Sequence, residues 1–204
     1  MRVVHYFSPM SGFAYLGVGA LREMADRRRA SILHKPVDVM RLFAAVDAIP
    51  PAKQSPARLK WRQTDMARWA LRRNLPLNIK PKFWPIDATL ACCAIIAAQN
   101  DAPNDGLGAS ALAESVLSAV WARDLDISQP ETVAALAHEC GLDAQRILAS
   151  AQSTDTLAIL RSNTDEAIAL GVVGSPTYAV GSELFFGQDR LDFVEEALVV
   201  AMVA

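Results

Sequence analysis

The run Arg2-Val3-Val4-His5-Tyr6-Phe7 has the character of a short buried strand. It feeds almost at once into Met10-Ser11-Gly12-Phe13-Ala14-Tyr15-Leu16, a turn that opens a helix. Residues 13–29 carry apolar Leu16, Val18, Leu21 and Met24 and end in Arg27-Arg28-Arg29, a basic last turn that suits a helix C-terminus. Strand character returns over 31–39 with Ile32, Leu33, Val37 and Val39, where Pro36 marks either a sheet edge or the end of the strand. Strand, helix and strand at this spacing form a βαβ unit, whose crossover is expected to be right-handed. A chain that begins this way is committed to a sheet with helices packed on it.

Ser11 stands at the positive end of that first helix dipole. Such a position favours negative charge by about 0.3–1 kcal/mol when exposed and up to about 2 kcal/mol when partly buried. Two roles are open to it: an N-cap, for which serine is among the best residues, or the partner of a bound anion or thiolate.

The middle of the chain reads as helices. Ile49-Pro50-Pro51 and Ser55-Pro56 mark a loop, after which 57–73 has a helical pattern. On it Trp61, Asp65, Arg68 and Arg72 share one face, either bordering a cleft or forming a surface ladder of charges. Pro76, Pro81 and Pro85 break the next segment, and Phe83-Trp84-Pro85 supplies two aromatics for a pocket wall or a loop anchor. Residues 88–99, 109–123, 129–140, 143–152 and 155–170 read as further helices, with a turn-rich break at 100–108 and a stop at Gly171. Ser128-Gln129-Pro130-Glu131 has the form of a capping box. Thr177–Val180 and Glu183–Phe186, separated by Gly181-Ser182, have the signature of a hairpin. A last helix over 190–203 follows, with Asp189 as its expected N-cap.

Charge and cysteine content narrow the function. A net charge of −2 gives no basis for a nucleic-acid partner. Between Lys53 and Lys82, however, nine basic residues face a single acid, Asp65, a run that serves as a solvated face or draws a small anion into a neighbouring cleft. The strand pattern at the start is not that of a signal peptide, and the alanine-rich 90–98 is too short to span a membrane, so a cytoplasmic location and no membrane partner are expected. Cys92, Cys93 and Cys140 have neither metal-ligand nor Cys-x-x-Cys spacing and read as small buried apolar residues in a reducing compartment. His5, His34 and His138 are scattered, so no metal site is expected.

The order βαβ, helices, ββα therefore implies an α/β fold: a thioredoxin-like domain from 1–48 and 160–204, interrupted by a helical insertion at 49–159. Ser11-Gly12-Phe13-Ala14 then sits where the Cys-x-x-Cys of that fold would lie. Gly174-Ser175-Pro176-Thr177 stands where it places a cis-proline, and Phe186-Gly187-Gln188-Asp189-Arg190 opens the last helix. With Pro50-Pro51, Pro56-Ala57-Arg58, Arg68-Trp69-Ala70, Pro81 and Ala119-Val120-Trp121, these motifs resemble the 2-hydroxychromene-2-carboxylate isomerases and kappa-class glutathione transferases, which share a DsbA-like thioredoxin fold. Three departures stand out: Gly12 where the family usually has proline, Val46-Asp47-Ala48-Ile49 where relatives commonly carry Gly-Asn or Gly-Gly, and Leu33 where the isomerases can carry arginine.

The resemblance implies glutathione as cofactor, held by Ser11, Ser175, Pro176, Gly187, Gln188 and Asp189, with Ser11 as the catalytic residue that favours its thiolate. Ser175 would pair with the peptide backbone as an added strand, and Asp189 with its ammonium group. Phe43 and Trp84 would wall an aromatic substrate and Lys35 would meet its carboxylate. It implies an isomerase of aromatic catabolites acting by reversible thiolate addition, with a homodimer common in the family. A glutathione transferase and a non-catalytic binding module are the alternatives. The missing motif cysteines speak against dithiol–disulfide exchange.

Overall fold

The computed structural model of the protein describes residues 1–101 and 107–203. Strands β1 (Arg2–Phe7), β2 (Ser31–Pro36), β3 (Thr177–Val180) and β4 (Glu183–Phe186) form one sheet in the order β2-β1-β3-β4. β1 and β2 are parallel and joined through α1 (Gly12–Arg28), while β1–β3 and β3–β4 are antiparallel. The two ends of the chain thus meet in the β1–β3 pair, with Val4 opposite Ala179 and Tyr6 opposite Thr177. Pro36 is the last residue of an edge strand, so both readings of it hold.

Alternation along the strands divides the core. Val3, Ile32, Tyr178 and Val180 face Leu21 and Met24 of α1 and Val194 and Leu198 of α9 (Leu191–Val203). Tyr6 and Ala179 face the other way, onto Leu42 of α2 (Val39–Ala45) and Ala167 of α8 (Thr154–Leu170). The same register sets His5 opposite both His34 and Tyr178.

Between β2 and β3 also run α3 (Pro56–Arg72), α4 (Thr89–Asp101), α5 (Leu107–Trp121), α6 (Pro130–Glu139) and α7 (Ala144–Ala151). Residues 91–98 of α4 are all buried, because this helix is apolar on every side and is packed among β2, α5, α7 and α8. One apolar cluster joins Phe7 and the buried face of α1 to these helices, so the strand-to-helix turn at Ser11 is backed by the helical region.

Several expectations shift in detail. Residue 39 starts α2 instead of ending β2, because Asp38 caps it by accepting from the N–H groups of Met40 and Arg41. Ser128 does not cap α6: its N–H and hydroxyl both donate to Asp126, at 3.0 and 2.6 Å, and Gln129 occupies the cap position with its side chain turned to Asp126 and Ser128 instead of the helix N–H groups. Asp189 lies inside a 3₁₀ turn, Gln188–Arg190, that precedes α9, and the residue before that turn is Gly187 at φ 109°. Of the break expected at 100–108, residues 102–106 lie outside the described residues. Trp61 borders an open cleft with Gln54, Arg58 and Arg62, while Asp65 joins no ion pair among the described residues. Among those residues no helix is long and apolar enough to cross a membrane, and no group of His, Cys, Asp or Glu is arranged to hold a metal ion.

Candidate active site

Ser11 is the N-cap of α1, with extended backbone and its Oγ accepting the Ala14 N–H at 3.2 Å. Its own hydroxyl proton goes elsewhere, to the backbone carbonyl of Ser175 at 2.8 Å. The peptide bond between Ser175 and Pro176 is cis. Ser175 Oγ accepts the Ser8 N–H at 2.9 Å, and the Gly187 N–H donates to the Pro176 carbonyl at 2.9 Å. The end of β1, the start of α1, the loop into β3 and the turn before α9 are therefore tied together around one hydroxyl. Among the described residues the N–H groups of Gly12, Phe13 and Ser175 donate to no protein acceptor.

Two indoles hold the turn from outside. Trp121 Nε1 donates to the Pro9 carbonyl and Trp84 Nε1 to the Met10 carbonyl, each at 3.0 Å, with the rings 6.2 Å apart. Trp84, followed by a cis Pro85, is thus both a loop anchor and a wall. Gly12 has a packing reason: a Cβ there would come 2.2 Å from Met66 Cε and 3.0 Å from the Trp121 ring.

Ser11 and Ser175 open onto a cavity of about 160 Å³. Its walls include Met10, Val39, Met40, Phe43, Pro50, Pro51 and Trp84, and Arg62 is the one charged residue among the described residues that line it. An apolar cavity of about this size accommodates one benzene ring. Met10, Val39, Met40 and Pro85 also line a larger neighbouring cleft of about 570 Å³, to which Ser8, Asp38 and Asp87 contribute.

The remaining expected site residues are placed apart from this cavity. Gln188 is buried under α1 beside Gly17, its carbonyl accepting from Arg73 at 3.1 Å and its Oε1 without a partner. Arg73 also donates to the Leu16 carbonyl, so it fastens the Gln188–Arg190 turn to α1. The Asp189 carboxylate folds back toward Gly187 and lies 3.6 Å from Arg190. Lys35 is not brought to the cavity; it pairs with Glu166 of α8, which also accepts the Tyr6 hydroxyl.

Burial governs the other titratable side chains. It raises the thiol of Cys92, further raised by the adjacent Cys93, and pushes Cys93 up to about 11, so both stay protonated at neutral pH as small apolar residues. Cys140 is only half-buried, a departure from the expectation of three buried cysteines. His5 and His34 meet through their Nδ1 atoms at 3.2 Å, His34 Nε2 meets the Ser110 hydroxyl, and burial lowers both pKa values.

Sequence patterns missed Met10, Met40 and Arg62 as pocket residues. Arg62 carried a signal, since it belongs to the basic run on α3, but nothing local separates it from Arg58 or Arg68. Met10 and Met40 carried none, because they meet only in the folded chain.

Comparison with known proteins places the chain. The model of the DSBA-like thioredoxin domain matches residues 2–199. A 2-hydroxychromene-2-carboxylate isomerase of Sphingobium xenophagum is 28% identical over 195 residues, covering 95% of this chain and 96% of that one. Another of the same name from Pseudomonas putida is 25% identical, covering 97% and 94%. Among solved structures, a 2-hydroxychromene-2-carboxylate isomerase superposes with a TM-score of 0.82 at 23% identity, over 99% of this chain and 96% of that one, a likeness of fold. The sheet order, the cis-proline opposite the first helix and the match along nearly the whole chain agree: this protein belongs to the DSBA-like thioredoxin domain family.

Proposed function

We propose that this protein is a glutathione-dependent isomerase of aromatic-ring breakdown products of the hydroxychromene carboxylate type. The observation that carries the reading is the Ser11 hydroxyl: it points at the carbonyl before cis-Pro176 and opens onto an apolar cavity walled by Phe43 and Trp84. The name shared by the relatives over nearly their full length supports the choice of reaction.

The residues present fit a peptide thiol. The unpartnered Ser175 N–H offers a backbone edge to an extended peptide, and the free N–H groups of Gly12 and Phe13 lie at the positive end of α1. When bound, glutathione would supply a thiolate that adds reversibly to a conjugated double bond and leaves after rotation about the resulting single bond. Ser11 would turn its proton from the Ser175 carbonyl toward sulfur, keeping the bond from the Ala14 N–H, and so favour the charged form. Trp84 and Phe43 would hold the ring of the substrate and exclude water from it. Gly187 and Gln188, fastened to α1 through Arg73, would set the far wall of the peptide site, and Asp189 would meet its ammonium group.

The test is the change in absorbance of 2-hydroxychromene-2-carboxylate with purified protein, with and without glutathione. Turnover that needs glutathione and falls by at least about 100-fold in Ser11→Ala is expected, the scale of losing one preorganised donor. Full turnover in Ser11→Ala would refute the assignment. Accumulation of a thioether adduct in place of the isomer would make the protein a transferase.

A further inference from the structure

We infer that Arg62 is the carboxylate-binding residue of the Ser11 cavity, so that the site selects an aromatic acid over its neutral counterpart. The choice of acid rests on the function proposed above, whereas the preference for a carboxylate rests on the cavity alone.

Among the described residues that line it, the cavity is apolar except for the serines and this guanidinium, which is therefore the group with which a charged ligand can pair. Arg62 joins none of the ion pairs among the described residues. Its guanidinium lies over the Phe13 ring, 4.7 Å from the centroid, next to the turn that bears Ser11. Stacking on an aromatic face fixes the plane of the fork while leaving its N–H donors free, the arrangement that suits a bidentate carboxylate. A half-buried guanidinium without an anion is costly to hold, and burial accordingly lowers its pKa, though arginine stays protonated at neutral pH. Arg62 also lines the open cleft of Gln54, Arg58 and Trp61, so the cation borders both that cleft and the apolar cavity.

Lys35 does not compete for this role by position. Its ammonium is already paired with Glu166, and it lines neither the Ser11 cavity nor the clefts beside it.

The experiment measures binding of trans-cinnamate and of cinnamamide, the same ring and double bond without the charge, by quenching of tryptophan fluorescence. The wild-type protein is expected to bind cinnamate at least tenfold more tightly. Arg62→Met should remove that preference, Arg62→Lys should keep part of it, and glutathione affinity by calorimetry should change by less than about threefold in both. Circular dichroism and thermal unfolding confirm that each variant is folded. In turnover, Arg62→Met should raise KM for the acid at least tenfold with kcat little changed, the pattern of lost ground-state binding. Equal binding of the two ligands by the wild-type protein would overturn the inference. So would an Arg62→Met variant that keeps the preference, or one that loses glutathione instead, since the carboxylate read would then be that of the peptide. A Lys35→Met variant that loses the preference while Arg62→Met keeps it would return the role to Lys35. A wild-type protein that prefers cinnamate through Arg62 yet turns over no chromene would sustain this inference and refute the proposed reaction.

Discussion

Replacing Gly12 by alanine tests whether packing against Met66 and Trp121 accounts for the glycine in the turn at Ser11. The new Cβ would meet Met66 Cε at 2.2 Å and Met66 Sδ at 3.2 Å, against an ordinary carbon–carbon contact of about 3.5–4 Å. The Met66 tip must therefore retreat by more than about 1 Å. Methionine can do so through its three rotatable bonds, but Trp121, at 3.0 Å, is held in place by its bond to the Pro9 carbonyl. Overpacking of this kind costs about 1–3 kcal/mol, and the better helix propensity of alanine offsets up to about 1 kcal/mol of it. A net loss of about 1–2 kcal/mol is expected from urea unfolding. The same substitution in a Met66→Ala background, where the tip is gone and only the 3.0 Å approach to Trp121 is left, should cost less, giving a coupling of about 1 kcal/mol in the double-mutant cycle. Equal costs in the two backgrounds would refute the packing account.

Three further outcomes follow from the same contacts. Burial holds His34 at about 4 against 6.5 in the unfolded chain, so the unfolded state binds more protons as pH falls; stability present above about pH 6.5 should drop by at least about 2 kcal/mol by pH 5, with His5, lowered by the same burial, adding to the loss. Urea midpoints that do not move between pH 7 and 5 would contradict this. Arg73→Ala removes donors to the Leu16 and Gln188 carbonyls and should cost about 2 kcal/mol. Amide exchange should show the Arg190 N–H, bonded to the Gly187 carbonyl, exchanging faster in that variant, and unchanged protection would count against the fastening role. Ser11→Ala, apart from its effect on turnover, should lower stability by about 0.5–2 kcal/mol through loss of the cap, read as a fall in the thermal midpoint.

What the sequence determined by itself is what neighbours along the chain decide. The short buried strand of Val3 to Phe7, the cap serine before α1, the Gly181-Ser182 turn and Pro36 at a strand end all express preferences that act within a few residues, and the structure carries each of them. The motif pattern likewise placed Ser11 beside Ser175 and Pro176 before any contact was visible. Capping at Ser128 and Asp189 failed for a competing reason of the same range, because Asp126 takes the Ser128 hydroxyl and a 3₁₀ turn takes Asp189.

Only the tertiary structure decided which charges are free. Lys35 and Arg62 are equally cationic in the sequence, but α8 brings Glu166 to the first, while α3 lays the second over Phe13, where it joins no ion pair among the described residues. Whether a charge is paired depends on partners far away in the chain (Lys35 and Glu166 are 131 residues apart), and no local pattern encodes that separation. The β1–β3 pairing sets the reactive turn in the same way, since it joins the two ends of the chain and brings the loop before cis-Pro176 onto the start of α1.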